Sequence, residues 1–354
     1  FFSSLYLLGG GRSVKKMMGR LQLSIFIFVL LVGCVEAFFQ HHAINFLQNP
    51  RAGSLLKRSC ANQDRRFSQQ SICMQQQASF DKDKIFVVTG STDGIGRHTC
   101  RRLAETGARV AVHGRNEMRC KETVNWLKTE TGNEKIDYFV ADISEMQNVQ
   151  NLADQILKKY PHIDCLINNA GVYEPEYQLT RDDMEMTFAV NVAAPYVLTQ
   201  RLLPLLTKKH NSESRLIVVA SLSADWSIDL DNLQYQNGGF SGHNAYSLSK
   251  LCDQMLAFEL DARFGTPGKL TVNTLDPGTV DTKMLRAGWS MGGIPVSSAN
   301  YEFYLATSPD VEGISGKYFV GNSQYSAPKV AYDVRKRQRL WQYLEDITGV
   351  AYYR

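Results

Sequence analysis

Tyr246 and Lys250 stand four residues apart in Tyr246-Ser247-Leu248-Ser249-Lys250. That spacing sets a phenol and an ammonium on one face of a helix. A tyrosine hydroxyl has a pKa near ~10 and exchanges protons poorly at neutral pH. A neighbouring ammonium favours the phenolate and lowers that pKa, so the pair can act as general acid and base. By itself such a pair is usually an accident of a helix surface; here two further residues give it weight. Ser221 ends the apolar run Leu216–Ala220, where a hydroxyl emerges at the carboxyl edge of a sheet. Asn191 lies in Phe188-Ala189-Val190-Asn191-Val192, where an amide is otherwise out of place.

A second constellation binds rather than reacts. Thr89-Gly90-Ser91-Thr92-Asp93-Gly94-Ile95-Gly96-Arg97 directly follows the apolar run Ile85–Val88. Glycines at 90, 94 and 96 permit a tight turn, close approach of backbone to a pyrophosphate, and tight helix packing. The helix that starts there offers free N–H groups and partial positive charge to the anion. At the end of the second strand, NAD-selective folds carry an acid for the ribose 2′-hydroxyl. This chain has His113-Gly114-Arg115 and no acid before Glu117. Arg115 can accept a 2′-phosphate in a charge-assisted pair, so NADP(H) is expected over NAD(H). Asp142, just past the third strand, suits the adenine amino group.

The elements that position these residues follow from periodicity. Strands are expected at Ile85–Val88, Val110–Val112, Tyr138–Val140, Cys165–Ile167, Leu216–Ala220 and Thr271–Leu275, with a last one at Tyr318–Val320. Helices are expected at Gly96–Glu105, Met118–Thr129, Ser144–Lys159, Asp183–Lys208, Ala245–Phe264 and around Val330–Leu344. Continuously apolar strands alternating with helices imply a parallel sheet covered on both faces. The fold class is therefore α/β: a Rossmann-like, doubly wound parallel sheet flanked by helices, in a single domain after a targeting leader.

Taken in order, Thr-Gly-x-x-x-Gly-Ile-Gly, Asp142-Ile143, Asn168-Asn169-Ala170-Gly171, Asn191, Ser221, Tyr246-x-x-x-Lys250 and Pro277-Gly278-Thr279-Val280-x-Thr282 resemble the short-chain dehydrogenase/reductase family. The 25-residue step from Ser221 to Tyr246 is similar to the retinol dehydrogenase, WW-domain oxidoreductase and chromosome-X dehydrogenase branch, as are Glu312–Phe319 and Leu340-Trp341…Thr348-Gly349. The resemblance implies that Ser221, Tyr246, Lys250 and Asn191 form the catalytic group. Tyr246 would be the acid/base, Lys250 would lower its pKa and hold the nicotinamide ribose, and Ser221 would polarise the carbonyl. Asn191 would fix a water beside Lys250. It also implies cofactor contacts at Gly90, Ser91, Asp93, Gly94, Ile95, Gly96, Arg115, Asp142, Ile143, Asn169, Ala170, Gly171, Tyr246, Lys250, Pro277, Gly278, Val280 and Thr282, with Asn168 in support. Two departures stand out: Ala220 where many members have a second serine, and His113 where related enzymes often have Cys or Ala.

The implied reaction interconverts a small carbonyl and its alcohol. Substrate choice is expected in Ala224–His243 and Met284–Tyr304; the latter carries Trp289, Met291, Gly292 and Gly293. Two other readings stay open. Ser249-Lys250-Leu251-Cys252 is similar to protochlorophyllide reductases, which suggests a plastid pigment or isoprenoid reductase. A non-catalytic NADPH-binding regulator would need the glycine loop but not Ser221, Tyr246 and Lys250. Self-association through the helices at 183–208 and 245–264 is implied by the family alone.

Composition bounds the rest. The 354 residues are 44% hydrophobic and 21% charged, which excludes a wholly disordered, collagen-like or disulfide-scaffold chain. The net charge of +4 conceals a split: residues 1–80 hold nine Lys/Arg and two acids, a local +7, and the remainder is −3. A mildly acidic body argues against nucleic-acid binding, and a basic front end points to targeting. Residues 1–16 precede the first methionines and are read as upstream of the start. Lys15, Lys16 and Arg20 head the apolar stretch 21–32, and Val35 and Ala37 mark a cut before Phe38. That makes 1–37 signal-peptide-like, with an uncleaved secretory anchor as the alternative. The Ser/Gln-rich, acid-poor segment 38–80 has transit-peptide composition, leaving 81–354 as the enzyme domain. Together they resemble the two-part leader of algae whose plastids derive from a red-algal endosymbiont, so a plastid location is expected, with membrane contact only through the leader. Of seven cysteines, three lie in the leader; Cys100, Cys120, Cys165 and Cys252 show no C-x-x-C spacing, read as buried thiols, and no metal site is expected.

Overall fold

The computed structural model describes residues 82–208 and 213–351. The segments 1–37 and 38–80, expected to form a leader, lie outside the described residues together with Cys34, Cys60 and Cys73. Strand and helix alternate as β1 (Ile85–Val88), α1 (Gly94–Glu105), β2 (Arg109–Gly114), α2 (Glu117–Thr131), β3 (Ile136–Val140), α3 (Met146–Lys159) and β4 (Cys165–Asn168). Then come α4 (Met186–Phe188), α5 (Ala194–Thr207), β5 (Ser214–Val219), α6 (Gly242–Phe264) and β6 (Leu270–Asp276). The chain closes with α7 (Lys283–Trp289), α8 (Tyr301–Thr307), β7 (Tyr318–Val320), β8 (Ser323–Tyr325) and α9 (Val334–Thr348).

The eight strands form one sheet in the order β3-β2-β1-β4-β5-β6-β7-β8. The first seven run parallel, and β8 turns back antiparallel on β7. In β1 every residue is buried, and the side chains alternate between two cores. Ile85 and Val87 face the layer built by α3, α5, α6 and α9. Phe86 and Val88 face the layer built by α1, α2 and α8. Each such side chain, fully buried, stabilises by about 1.5–3 kcal/mol. An exposed pair such as Lys121–Glu117 contributes about 0–1 kcal/mol, so the layers rather than surface charges hold the frame.

Six expected strands and the last one are present, with ends shifted by one or two residues; β5 stops at Val219, so Ala220 already belongs to the turn. The expected helix at Asp183–Lys208 is interrupted. A π-helical turn at Ala189–Ala193 separates α4 from α5 and carries Asn191. The helix expected from Val330 begins at Val334, because Asp333 caps it by accepting from the Lys336 N–H. The short elements α7, α8 and β8 have too few residues for periodicity, and the exposed β8 offers no apolar run. No helix among the described residues is long and apolar enough to cross a membrane.

Candidate active site

Strand order reverses between β1 and β4, and the loops at the carboxyl ends of β1, β2, β4, β5 and β6 surround the crevice that results. The glycine loop is fixed there by its own backbone demands. Gly90 has φ +62°, and a Cβ on it would lie 2.7 Å from the Ala170 Cα. A Cβ on Gly96 would strike the Asn169 amide and approach the Gly90 carbonyl to 2.8 Å. Asn169 Nδ2 donates to the Thr89 carbonyl at 2.7 Å, and Thr89 Oγ1 accepts from the Asn169 and Ala170 N–H groups, each at 3.0 Å. Asn168, beside them, donates to Thr199 Oγ1.

Behind the loop stands His113, a residue whose role sequence reasoning missed. Its Nδ1 accepts from the Gly90 N–H at 3.2 Å, so the proton sits on Nε2, 3.2 Å from the Ala141 carbonyl. Burial pushes its pKa down to about 4, which keeps the ring neutral. Asp93 caps α1 through the Gly94 N–H. Its Oδ2 also accepts from Arg119 Nη2 at 3.0 Å and Lys283 Nζ at 2.6 Å. Partial burial raises the Asp93 pKa, but Lys283, Gly94 and Arg119 outweigh it and hold the carboxyl below its ordinary value. Arg115 is exposed in the bend just past β2, before the Asn116 cap, and Arg119 lies in the first turn of α2. Asp142 Oδ1 accepts from the Ser144 N–H and hydroxyl, and Ile143 packs against the core.

On the other side of the crevice, β6 ends in Asp276. Its carboxylate accepts from the Leu222 N–H and the Gly278 N–H, both at 2.7 Å, joining the Ser221 and Pro277-Gly278 loops. An acid closing an apolar strand before Pro-Gly was the available signal for it. Val280 is buried, and Thr282 caps α7 through the Leu285 N–H.

Tyr246 and Lys250 occupy the N-terminal part of α6, whose start is capped by Ser241. The Lys250 Nζ lies 5.7 Å from the Tyr246 ring centroid. The Ser221 hydroxyl stands near enough to the phenol to favour its ionised form. Sequence reasoning expects a lowered tyrosine pKa, and the structure corrects that expectation for the protein alone. Burial, the largest influence, pushes the phenol up; Lys250 and Ser221 pull it down, and the balance stays above the ordinary tyrosine value. Asn191 is buried, donates to the Val172 carbonyl at 3.0 Å and Ser249 Oγ at 2.9 Å, and accepts from the Val172 N–H at 2.8 Å. Gly171 lies between Asn191 and Lys250: a Cβ there would be 3.4 Å from Asn191 Oδ1 and 3.8 Å from Nζ. Lys250 itself donates to the Val219 carbonyl at 2.9 Å and to Asp253 Oδ2 at 2.8 Å. Asp253 was not singled out from sequence.

Over the phenol sits a group of rings. Trp289 meets Tyr246 edge-on at 5.1 Å between centroids, Tyr173 at 5.4 Å and His243 at 5.3 Å. The Tyr173 hydroxyl and His243 Nδ1 are 3.0 Å apart. Trp289 belongs to the segment expected to choose the substrate; Tyr173, in the loop after β4, was missed. Exposed apolar side chains continue nearby along these segments at Trp226, Met291 and Ile294.

The sheet order and the crevice define a nucleotide-binding oxidoreductase fold, and comparison with known proteins narrows it. The family model for short chain dehydrogenase matches residues 84–291, and the chain belongs to that family. Within it, the chain falls in the retinol dehydrogenase-like branch. It is 30% identical to human polyprenol dehydrogenase over 284 residues, covering 76% of this chain and 86% of that protein. It is 33% identical to mouse retinol dehydrogenase 14 over 296 residues, covering 75% and 86%. Among solved structures, a protein from Mycobacterium paratuberculosis superposes with a TM-score of 0.63 at 24% identity, covering 77% of this chain and 95% of that one. A short chain dehydrogenase from Escherichia coli complexed with NADPH gives a TM-score of 0.55 at 26% identity, covering 70% and 99%. A nicotinamide cofactor belongs to the family, and the crevice fits one: Gly90 and Gly96 let the loop pack directly on Ala170 and Asn169, and the loop leads into the N-terminus of α1, which suits a pyrophosphate.

Proposed function

We propose that the protein is an NADP(H)-dependent oxidoreductase that interconverts an apolar alcohol and its carbonyl compound, with Tyr246 as general acid/base. The observation that carries this reading is convergence: Ser221, Tyr246, Lys250 and Asn191 meet at the carboxyl edge of the sheet, beside the glycine loop. NADP(H), when bound, supplies or accepts the hydride. In reduction, the Tyr246 hydroxyl gives its proton to the carbonyl oxygen, and the Ser221 hydroxyl holds that oxygen in place. The Lys250 ammonium beside the ring stabilises the phenolate left behind. Asn191, through both of its bonds to Val172, holds the loop that faces Lys250. Oxidation runs through the same groups in reverse.

Arg115 just before α2 and Arg119 in its first turn, with no acid at the end of β2, support a 2′-phosphate site. The rings of Tyr173, His243 and Trp289 around the phenol support an apolar substrate. The printed names of the relatives, polyprenol dehydrogenase and retinol dehydrogenase, support a long one. The basic leader supports a plastid location, tested by fusing residues 1–80 to a fluorescent protein. Activity is tested on the full chain with NADPH and NADH and a series of aliphatic aldehydes of increasing length. The reading expects NADPH oxidation that strengthens with chain length. No turnover of any aldehyde, or equal use of both cofactors, contradicts it.

A further inference from the structure

The proposed chemistry leaves one buried charge beside the catalytic pair without a task. Asp253 follows Lys250 by three residues on α6, and its Oδ2 lies 2.8 Å from Nζ. Both side chains are almost completely enclosed, at 2% and 6% exposure. Asp253 Oδ1 has no hydrogen-bond partner among the described residues. A buried ion pair with an orphaned oxygen does little for stability compared with apolar packing of similar size. Its place is therefore better explained by what it does to Lys250 and Tyr246.

Few other charges face this group. On α6 are Lys250, Tyr246 and Cys252, whose thiol burial pushes up and keeps neutral. From the end of β6 comes Asp276, tied by two backbone N–H groups. Asn191 and Ser249 are uncharged. Lys250 feels burial first, which favours loss of its proton, but Asp253 and Tyr246 outweigh it and hold the ammonium. Burial pushes the Asp253 carboxyl up to about 6 against the pull of Lys250, so it is ionised at neutral pH.

We propose that Asp253 is a positioning residue that fixes the Lys250 ammonium and sets the pH at which Tyr246 exchanges its proton, biasing the site towards the protonated phenol. The inference rests on the acid/base reading of Tyr246 given above. Its physical content is one of sign. The lysine charge favours phenolate; the aspartate charge, bound to that lysine and of like sign to phenolate, opposes it. A protonated phenol is the proton donor that carbonyl reduction needs. The Val219 carbonyl, the phenolate and Asp276 still favour the Lys250 ammonium once Asp253 is neutral, so loss of the Asp253 charge, by mutation or as pH falls through about 6, leaves that ammonium without its counter-charge and lowers the Tyr246 pKa.

The test titrates Tyr246 directly in the full chain. Near-ultraviolet phenolate absorbance is followed with pH in each protein and in its Tyr246→Phe counterpart, and the difference is the titration of Tyr246. Asp253→Asn is expected to lower its midpoint by roughly one unit. Asp253→Glu, which keeps the charge, is expected to stay near the parent. In decan-1-ol oxidation with NADP⁺, the acid limb of the pH–rate profile should move by the same amount, giving about tenfold faster turnover below the midpoint. Where Asp253→Asn fails to fold, Asp253→Leu carries the same comparison. An unmoved or raised midpoint in a folded neutral variant overturns the proposal, even if the enzyme is active. A lowered midpoint in a chain that oxidises and reduces nothing upholds the proposal and defeats the functional reading, so the two failures are separable.

Discussion

The two sides of the crevice are built by different means. On the cofactor side, backbone geometry dictates residue identity: Gly90 and Gly96 have no room for a Cβ, and the side chains of Thr89, Asn169 and His113 hold the loop by hydrogen bonds to main-chain groups. On the substrate side, aromatic side chains surround the phenol, although a Cβ on Gly242 or Gly293 would still strike the Glu174 or Thr279 carbonyl. Helix α7, which presents Trp289, has no buried residue, and the rings of Tyr173, His243 and Trp289 touch only edge to face or tilted. The first arrangement tolerates almost no substitution. The second can be rebuilt without disturbing the frame, which is how one fold accommodates different substrates.

The contrast is broken most severely at Gly90. Gly90→Ala forces a side chain into positive φ and onto Ala170, and is expected to weaken NADPH binding by about a hundredfold. Fluorescence titration of NADPH measures this; binding within twofold of the parent would show that the loop adapts. Trp289→Ala should raise KM for a long-chain aldehyde about tenfold and leave NADPH affinity unchanged. A matching loss of cofactor affinity would mean that the two sides are one unit.

Arg115→Ala should lower the preference for NADPH over NADH by roughly fivefold, read from the ratio of kcat/KM values. Its exposure keeps the effect below that of a buried charge pair. Arg119→Ala should do less, because Arg119 already pairs with Asp93. The smallest effect tests the frame beneath both sides. Glu302 is fully buried, accepts from Thr99 Oγ1 at 2.7 Å, and has its carboxyl pushed by burial up to about 7. The folded state therefore keeps this proton to higher pH than the unfolded chain does, and stability falls as pH rises from about 4.5 through 7. Glu302→Gln should raise Tm by roughly 2–4 °C at pH 8 and leave it unchanged at pH 5.

What the amino-acid sequence disclosed follows the same division. The glycine loop, the strands on either side of it and Tyr246-x-x-x-Lys250 are local patterns imposed by backbone or helix spacing, and they were legible. Ser221 and Asn191 stood out as polar groups in apolar runs, although the π turn that carries Asn191 did not. His113 was unreadable as a brace because its partner, Gly90, is 23 residues away and reaches it only through the pairing of β1 with β2. Tyr173 and Trp289 meet across more than a hundred residues of chain, and a single aromatic in a loop carries no mark of such a contact. Asp253 looked like an ordinary helix acid, because burial, which gives it significance, has no signature at one position. Tyr246 shows the same limit: the helix spacing foretold Lys250's pull on the phenol, and burial then outweighed it.

The central claim is that Tyr246 moves the proton while the cofactor site stands independently of it. Single-turnover reduction of decanal by the full chain with NADPH, in the parent and in Tyr246→Phe, tests both parts together. Loss of about a thousandfold in rate, with NADPH bound within threefold of the parent, is the predicted result. A variant that reduces decanal at the parent rate would contradict it.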